Sequence, residues 1–430
     1  MKRQKLLVGF FILLLATSEF IFAQVRQVPK RIIEIPSLTV VDTLTSDFYT
    51  EKYVVTLQQT LAHGEPKKGL FKQQVVICHR GFDRPTLLVC EGYDGNYALR
   101  SQYKEELSTL FDMNVIFVQH RFFGNSTPNP KDWTYLTAEN AAYDLHHVLE
   151  LLRPIYPNKW ISTGVSKGGQ NTMSYRSFFP DDVDFSVAYV APLNRAIEDP
   201  RQEKFLRRVG TKAQRKQIMD FQLTILKRKS EILPLLQQYC NEKKFTYRIT
   251  MPEVLDYMVL EYSFAFWQWG TPFTDIPVSE AKADALFDHL VKVSNPDYFS
   301  NEQIYTSFDV QAAKELGYYG YDLKPFKKYA TIKSTKGYLA KLMLPKGMQV
   351  KFDKTLYKRL MKFYKKNDPK IIFIYGQNDP WSATRIPTFK KKKNIQIYIQ
   401  PNGSHRSRIK NMPQDIRVMI THQIQQWLDE

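Results

Sequence analysis

The sequence predicts an α/β fold: a mostly parallel central sheet with helices on both faces and a large helical cap inserted into it. Three observations carry this. Short apolar runs of strand length alternate with stretches of helical period through residues 53–194, and the alternation resumes at 371. One run, 160–165, turns a Gly-x-Ser-x-Gly corner at Gly164-Val165-Ser166-Lys167-Gly168 and continues as a helical pattern. Between about residues 195 and 365 the pattern is helical and holds no apolar run that reads as a buried strand.

Taken in order, residues 1–23 read as a signal peptide. Lys2, Arg3 and Lys5 precede an apolar stretch at 6–16, and Phe22-Ala23-Gln24 offers a cleavage point. An uncleaved anchor is the alternative. No later apolar run is long enough to span a bilayer, so the mature protein is expected to be secreted or periplasmic with no membrane span. Residues 24–48 lack periodicity and are expected as an N-terminal extension lying over the domain. Residues 49–194 read as the first part of the core. Strands are expected at 53–59, 70–78 and 86–90, the last wholly apolar as a central parallel strand should be. A helix over 97–111, a strand at 114–119 and a helix over 138–153 follow. Then come the 160–165 strand, a helix to Phe179 stopped by Pro180, and a strand at 183–190. Residues 195–365 form the cap, with one long amphipathic pattern at 210–239. Residues 366–430 read as the second part of the core: strands at 371–375 and 395–399, then a helix over 413–428.

Composition bounds the function. The formal charge of +18 reads first as a solvated basic surface and second as attraction to acidic envelope or matrix polymers. No nucleic-acid-binding signature surrounds the lysine runs at 362–366 and 390–393, so no nucleic-acid partner is expected. Three cysteines are too few for a disulfide framework. A bridge between Cys78 and Cys90, which end what could be neighbouring strands, stays open; two buried thiols are the stronger expectation. No Cys/His cluster has metal-ligand spacing, and no cofactor is called for.

The corner at Ser166 is the nucleophile elbow of an α/β-hydrolase. A serine lifted clear of a sheet needs a tight turn, and bulky neighbours two residues away would collide, so Gly164 and Gly168 fit. The next backbone N–H, on Lys167, would face a developing oxyanion. A second donor is expected from the glycine-bearing loop Glu91-Gly92-Tyr93-Asp94-Gly95, with the Tyr93 N–H as candidate. A serine hydroxyl needs a base, and the base an orienting carboxylate. Ser166, Asp379 and His405 fall in the order nucleophile, acid, base, each just after an expected strand. His120, His146 and His147 precede Ser166 and His422 lies inside the last helix, so they fit this order less well.

Several segments together resemble the secreted prolyl tri/tetrapeptidyl aminopeptidases, serine peptidases of the α/β-hydrolase fold. They are more distantly similar to the lysosomal Pro-X carboxypeptidase and dipeptidyl peptidase II family. The segments are Phe71-Lys72-Gln73, His79-Arg80-Gly81-Phe82-Asp83-Arg84-Pro85-Thr86, Glu91-Gly92-Tyr93 and His120-Arg121-Phe122-Phe123-Gly124-Asn125-Ser126. To these add the elbow, Glu261-Tyr262-Ser263-Phe264-Ala265-Phe266-Trp267-Gln268, Glu315-Leu316-Gly317-Tyr318-Tyr319, Asn378-Asp379-Pro380-Trp381 and His405. The resemblance runs from about residue 53 to the end. It implies an exopeptidase that takes peptides with a free N-terminus, releases short N-terminal fragments and prefers cleavage after proline. It carries the triad onto Ser166, Asp379 and His405. Such an enzyme needs an acidic group for the substrate ammonium, for which Glu261, Glu315 and Glu91 are candidates. An aromatic wall that includes Trp267 would suit a proline ring. An esterase or other acyl hydrolase on the same scaffold, or an envelope-binding protein with a retired hydrolase core, are the alternatives.

Overall fold

The apolar runs pair into one nine-stranded sheet whose parallel part carries the loops of interest. The computed structural model describes residues 27–430. The expected signal peptide and the first residues of the expected extension lie outside the described residues.

In chain order the elements are α1 (Gln27–Ile33), β1 (Leu38–Thr43), β2 (Glu51–Thr60), β3 (Leu70–His79), β4 (Thr86–Cys90), α2 (Glu106–Phe111), β5 (Asn114–Val118), α3 (Ala138–Leu152), β6 (Trp160–Val165), α4 (Lys167–Phe178) and β7 (Phe185–Tyr189). The inserted part holds α5 (Pro200–Leu206), α6 (Lys212–Lys227), α7 (Lys229–Lys243), α8 (Met251–Trp269), α9 (Ala283–Val293), α10 (Thr306–Gln311) and α11 (Thr355–Lys366). The sheet resumes with β8 (Ile371–Gly376) and β9 (Ile395–Gln400), and α12 (Gln414–Asp429) closes the chain.

The spatial order is β1-β2-β3-β5-β4-β6-β7-β8-β9. The first four in that order pair antiparallel, and every pairing from β5 onward is parallel. β4, β5 and β7 are buried along their whole length, as strands covered on both faces must be. Leu87 and Val89 pack with α2 and α12 on one face, while Leu88 and Cys90 pack with α1 and α3 on the other. Helices α4 and α11 complete that second face beside β7 and β8. This is the α/β-hydrolase arrangement.

The structure departs from the sequence reading in several places. Residues 38–43 of the expected extension form an edge strand on β2, with Leu38 opposite Leu57 and Thr43 opposite Tyr53. Its outer residues are mostly exposed, so it shows no buried alternation. The glycine-bearing loop therefore follows the fourth strand rather than the third, and the inserted helices follow the seventh. The helix expected over 97–111 begins only at Glu106; the chain before it turns so that Tyr97 and Tyr103 pack edge-on against Phe117. The pattern at 210–239 is two helices, broken at Arg228, whose guanidinium pairs with Glu231 and donates to the Ala281 carbonyl. No disulfide joins Cys78 and Cys90: both are free and buried. Strand β5 lies between their strands, and the two thiols sit in cores on opposite faces. Two strand spacings of about 9–10 Å exceed what a disulfide spans. Among the described residues no strand lies between β7 and β8, and no helix is long and apolar enough to cross a membrane.

One buried ion pair fastens the loop after β5 to α3. Arg121, fully buried, holds Asp144 with two bonds of 2.7 Å and spends its other donors on the carbonyls of Thr60, Leu61 and Tyr135. His63 bonds the same carboxylate at 2.8 Å. Removing the carboxylate strands a buried guanidinium. Asp144→Ala is expected to cost about 3–5 kcal/mol of stability, read as a lowered urea midpoint with unchanged m-value.

Candidate active site

The elbow is made where β6 meets α4. Ser166 has φ 58° and ψ −119°, a left-handed conformation that a non-glycine residue holds only when its surroundings enforce it. The Ser166 N–H donates to the Tyr189 carbonyl of β7, and the Ser166 carbonyl accepts from the Gln170 N–H, each at 2.9 Å. Strand and helix approach so closely that a Cβ on Gly164 would lie 2.3 Å from the Gly168 carbonyl oxygen. One on Gly168 would lie 2.8 Å from the Cys90 carbonyl oxygen. The hydroxyl-bearing side chain is half-buried and lines a cavity of about 1440 Å³ between the sheet edge and the inserted helices.

Asp379 follows β8 and is fully buried. One carboxylate oxygen accepts from the Trp381 N–H at 3.1 Å; the other accepts from Ser382 Oγ at 2.8 Å and from His405 Nδ1 at 2.9 Å. The carboxylate thus fixes the ring, with Nδ1 as donor, and leaves Nε2 for the cavity that His405 also lines. The His405 N–H donates to the Gln268 carbonyl at the end of α8, 2.9 Å away. Trp269 lies edge-on to the imidazole at 6.1 Å. Ser166, Asp379 and His405 therefore come to one edge of the sheet, Ser166 and His405 on the wall of one cavity.

Lys167 is buried at the first turn of α4. Its Nζ donates to the Gly92 carbonyl at 2.7 Å, and Asn171, one turn on, donates to the Glu91 carbonyl at 2.8 Å. These two bonds tie the loop after β4 to the elbow. Burial holds the Lys167 ammonium far below its usual range, against the pull of Glu91 and Glu315. The Lys167 N–H stands among the first N–H groups of a helix, which have no intrahelical acceptor. The Tyr93 N–H donates to Glu91 Oε1 at 3.0 Å. The Tyr93 side chain lines the same cavity as Ser166: burial pushes its phenol well above the usual range, helped by the charge of Glu91, while the nearby Ser166 side chain acts the other way. The phenol is the part of Tyr93 that sequence reasoning missed.

The four candidates for substrate contact separate. Glu91 and Glu261 line the cavity; Glu315 and Trp267 do not. Glu315 accepts from the Ala138 N–H at 2.6 Å and from Gln311 at 3.1 Å, joining the inserted part to the start of α3. Trp267 packs on Phe273 inside the cap core, 5.3 Å between centroids. Tyr318, Tyr319 and Trp381 form the aromatic wall instead, with Trp381 5.4 and 5.3 Å from the two tyrosines. Glu261 accepts from Tyr319 at 2.9 Å and Tyr321 at 2.8 Å. Burial pushes its carboxyl up to about 7, against both bonds. Ser382, which holds Asp379 from behind, also escaped the sequence reading; its signal is only a hydroxyl three residues after the acid.

A family model described as PS-10 peptidase S37 matches residues 23–429. The prolyl tri/tetrapeptidyl aminopeptidase of Streptomyces mobaraensis is 28% identical over 424 residues, covering 96% of this chain and 87% of that one. An Arabidopsis thaliana protein named "Probable serine protease EDA2" is 23% identical, covering 87% of this chain and 84% of its own length. Among solved structures, a proline iminopeptidase of Mycobacterium smegmatis superposes with a TM-score of 0.38 at 12% identity, covering 90% of this chain and 98% of that one.

The close approach at the elbow sets a test of its own. Gly164→Ala must push apart backbone that cannot yield and is expected to cost about 3 kcal/mol, measured by chemical denaturation. Alanine substitution at Gly64, where a Cβ meets nothing within 4 Å, serves as the control.

Proposed function

The chain belongs to the S37 peptidase family, and we propose that it is an exported serine exopeptidase that releases tri- or tetrapeptides from free N-termini, preferring cleavage after proline. The observation that carries the reading is the Asp379–His405 pair, on the same sheet edge and cavity as a serine held in the elbow conformation.

In this reading His405 Nε2 takes the Ser166 proton as Oγ attacks the scissile carbonyl. Asp379 keeps Nδ1–H oriented and stabilises the imidazolium that forms. The oxyanion is held by the Lys167 N–H and by Tyr93, whose side chain lines the same cavity as Ser166 and whose N–H would have to leave Glu91 to serve. His405 then protonates the leaving amine, and water, deprotonated by the same ring, releases the acyl group. Core segments 49–194 and 366–430 supply the triad, and the cap, 195–365, closes the far end of the cavity. Glu261 is the anchor for the substrate ammonium; its place on the cavity wall supports it over Glu315. The tyrosines at 318 and 319 with Trp381 offer flat apolar faces to a proline ring. Export rests on the sequence alone.

Ser166→Ala is expected to abolish release of prolyl tripeptides and labelling by a fluorophosphonate. Asp379→Asn should lower kcat by about 10⁴ through loss of the correct tautomer. Hydrolysis of short acyl esters with none of N-terminally free peptides would instead favour the esterase reading. Because the Glu261 carboxyl is raised to about 7, it is neutral below that pH and cannot hold an ammonium. KM for free-amine peptides is therefore expected to climb as pH falls through 7. Glu261→Gln should raise KM about 30-fold at pH 8 and flatten that dependence, with kcat less affected.

A further inference from the structure

The cavity, about 1440 Å³, runs between the cap and the loops of the core, and its two ends differ in which charged side chains are left without an ionic partner. Toward the cap it meets Glu261 and Asp297, and the cation nearby, Lys292, is taken by Asp275 at 3.0 Å. The other end lies on the core side, between the loop after β4, the start of α2 and residues 406–410. Its wall includes the exposed side chains Lys104, Arg406 and Lys410. None of the three is paired with a carboxylate among the described residues; Arg406 only leans over the Trp269 ring at 5.7 Å. A fourth cation, Arg408, is turned to the carbonyls of His405 and Ser407.

The carboxylates at this end are committed to protein donors. Glu106 accepts from the Ile409 and Lys410 N–H groups at 3.0 and 2.9 Å and from Tyr189 at 2.9 Å. Glu105 accepts from Tyr103 at 2.8 Å. Glu91 accepts from Tyr97 at 2.6 Å and from the Tyr93 N–H, and Asp94 from Asn96 at 2.9 Å. Among the described residues, exposed cations without a carboxylate partner thus face the core-side end, and two acids, Glu261 and Asp297, without a cation partner face the cap end. A peptide lying across the cavity with its ammonium at Glu261 and its scissile bond at Ser166 would run its leaving side toward Lys104, Arg406 and Lys410.

We propose that the core-side arm receives the leaving segment of the substrate and favours segments bearing negative charge, as acidic side chains or as the terminal carboxylate of a short peptide. This rests on the exopeptidase reading above. The attraction is between exposed groups, so it is modest and screened by salt.

The test uses the full mature chain and one N-terminal tripeptide ending in proline. It is joined to Asp-Asp amide, to Lys-Lys amide, to Ala-Ala with a free or amidated carboxyl, and to p-nitroaniline. Wild type is expected to show kcat/KM about tenfold higher for the Asp-Asp than the Lys-Lys substrate at low salt, falling below about threefold near 0.5 M NaCl. The free carboxyl should outrun its amide. The ratio of Asp-Asp to Lys-Lys should drop to unity in K104A/K410A and invert in K104E/K410E. Equal rates for the Asp-Asp and Lys-Lys substrates, or a ratio unchanged by either double substitution, overturns the inference while p-nitroanilide release keeps the peptidase reading intact. Failure to release p-nitroaniline overturns both.

Discussion

The structure depends on the contact between β6 and the first turn of α4. Ser166 can hold its left-handed conformation only because strand and helix come within a distance that admits no side chain at Gly164 or Gly168. The same approach brings Gly168 against the end of β4, so three adjacent parallel strands fix the corner together. The burial of β4, β6 and β7 leaves that corner nowhere to relax. What the strain secures is position: a hydroxyl raised to the cavity wall, with the helix N-terminus behind it. Lys167 and Asn171 extend the constraint to the neighbouring loop by side-chain bonds to two successive carbonyls.

The second organising element is α8. It is nearly apolar around its circumference and runs through the middle of the cap core, where Tyr262, Phe266 and Trp267 pack inward. Glu261, Ala265, Gln268 and Trp269 line the cavity instead, and two of them are polar. Glu261 faces the cavity with its charge managed by two tyrosines, and Gln268, two turns later, offers its carbonyl to the backbone of His405. One rigid helix therefore spans from the acidic end of the cavity to the loop bearing the imidazole. The cap supplies Glu261 and Asp297 to the cavity, and loops of the sheet supply the exposed cations Lys104, Arg406 and Lys410.

Much of this was legible in the sequence because it is written locally. Ser166, Asp379 and His405 each follow an apolar strand and sit in turn-forming sequence, so a parallel sheet had to carry them to one edge. The fold class was legible for the same reason: buried parallel strands are continuous apolar runs. What could not be read depends on contacts across the chain. Trp267 and Glu261 share a helix that is apolar on every side, so no periodicity says which residue meets the cavity and which the core. Glu315 looked like an equal candidate for holding an ammonium, yet it caps the start of α3 from 177 residues away. The Tyr93 phenol and Ser382 sit within or beside recognised motifs, yet nothing in the local pattern says that one lines the cavity and the other holds Asp379. Strand β1 escaped because an exposed edge carries little buried alternation.

The bond from the His405 backbone to the Gln268 carbonyl makes the cap more than a roof. Widening the cavity by swinging α8 outward would tug on the very loop that holds the imidazole against Asp379. The opening of the cavity and the seating of that ring are thus mechanically coupled: α8 cannot move far from the sheet edge without carrying the loop with it.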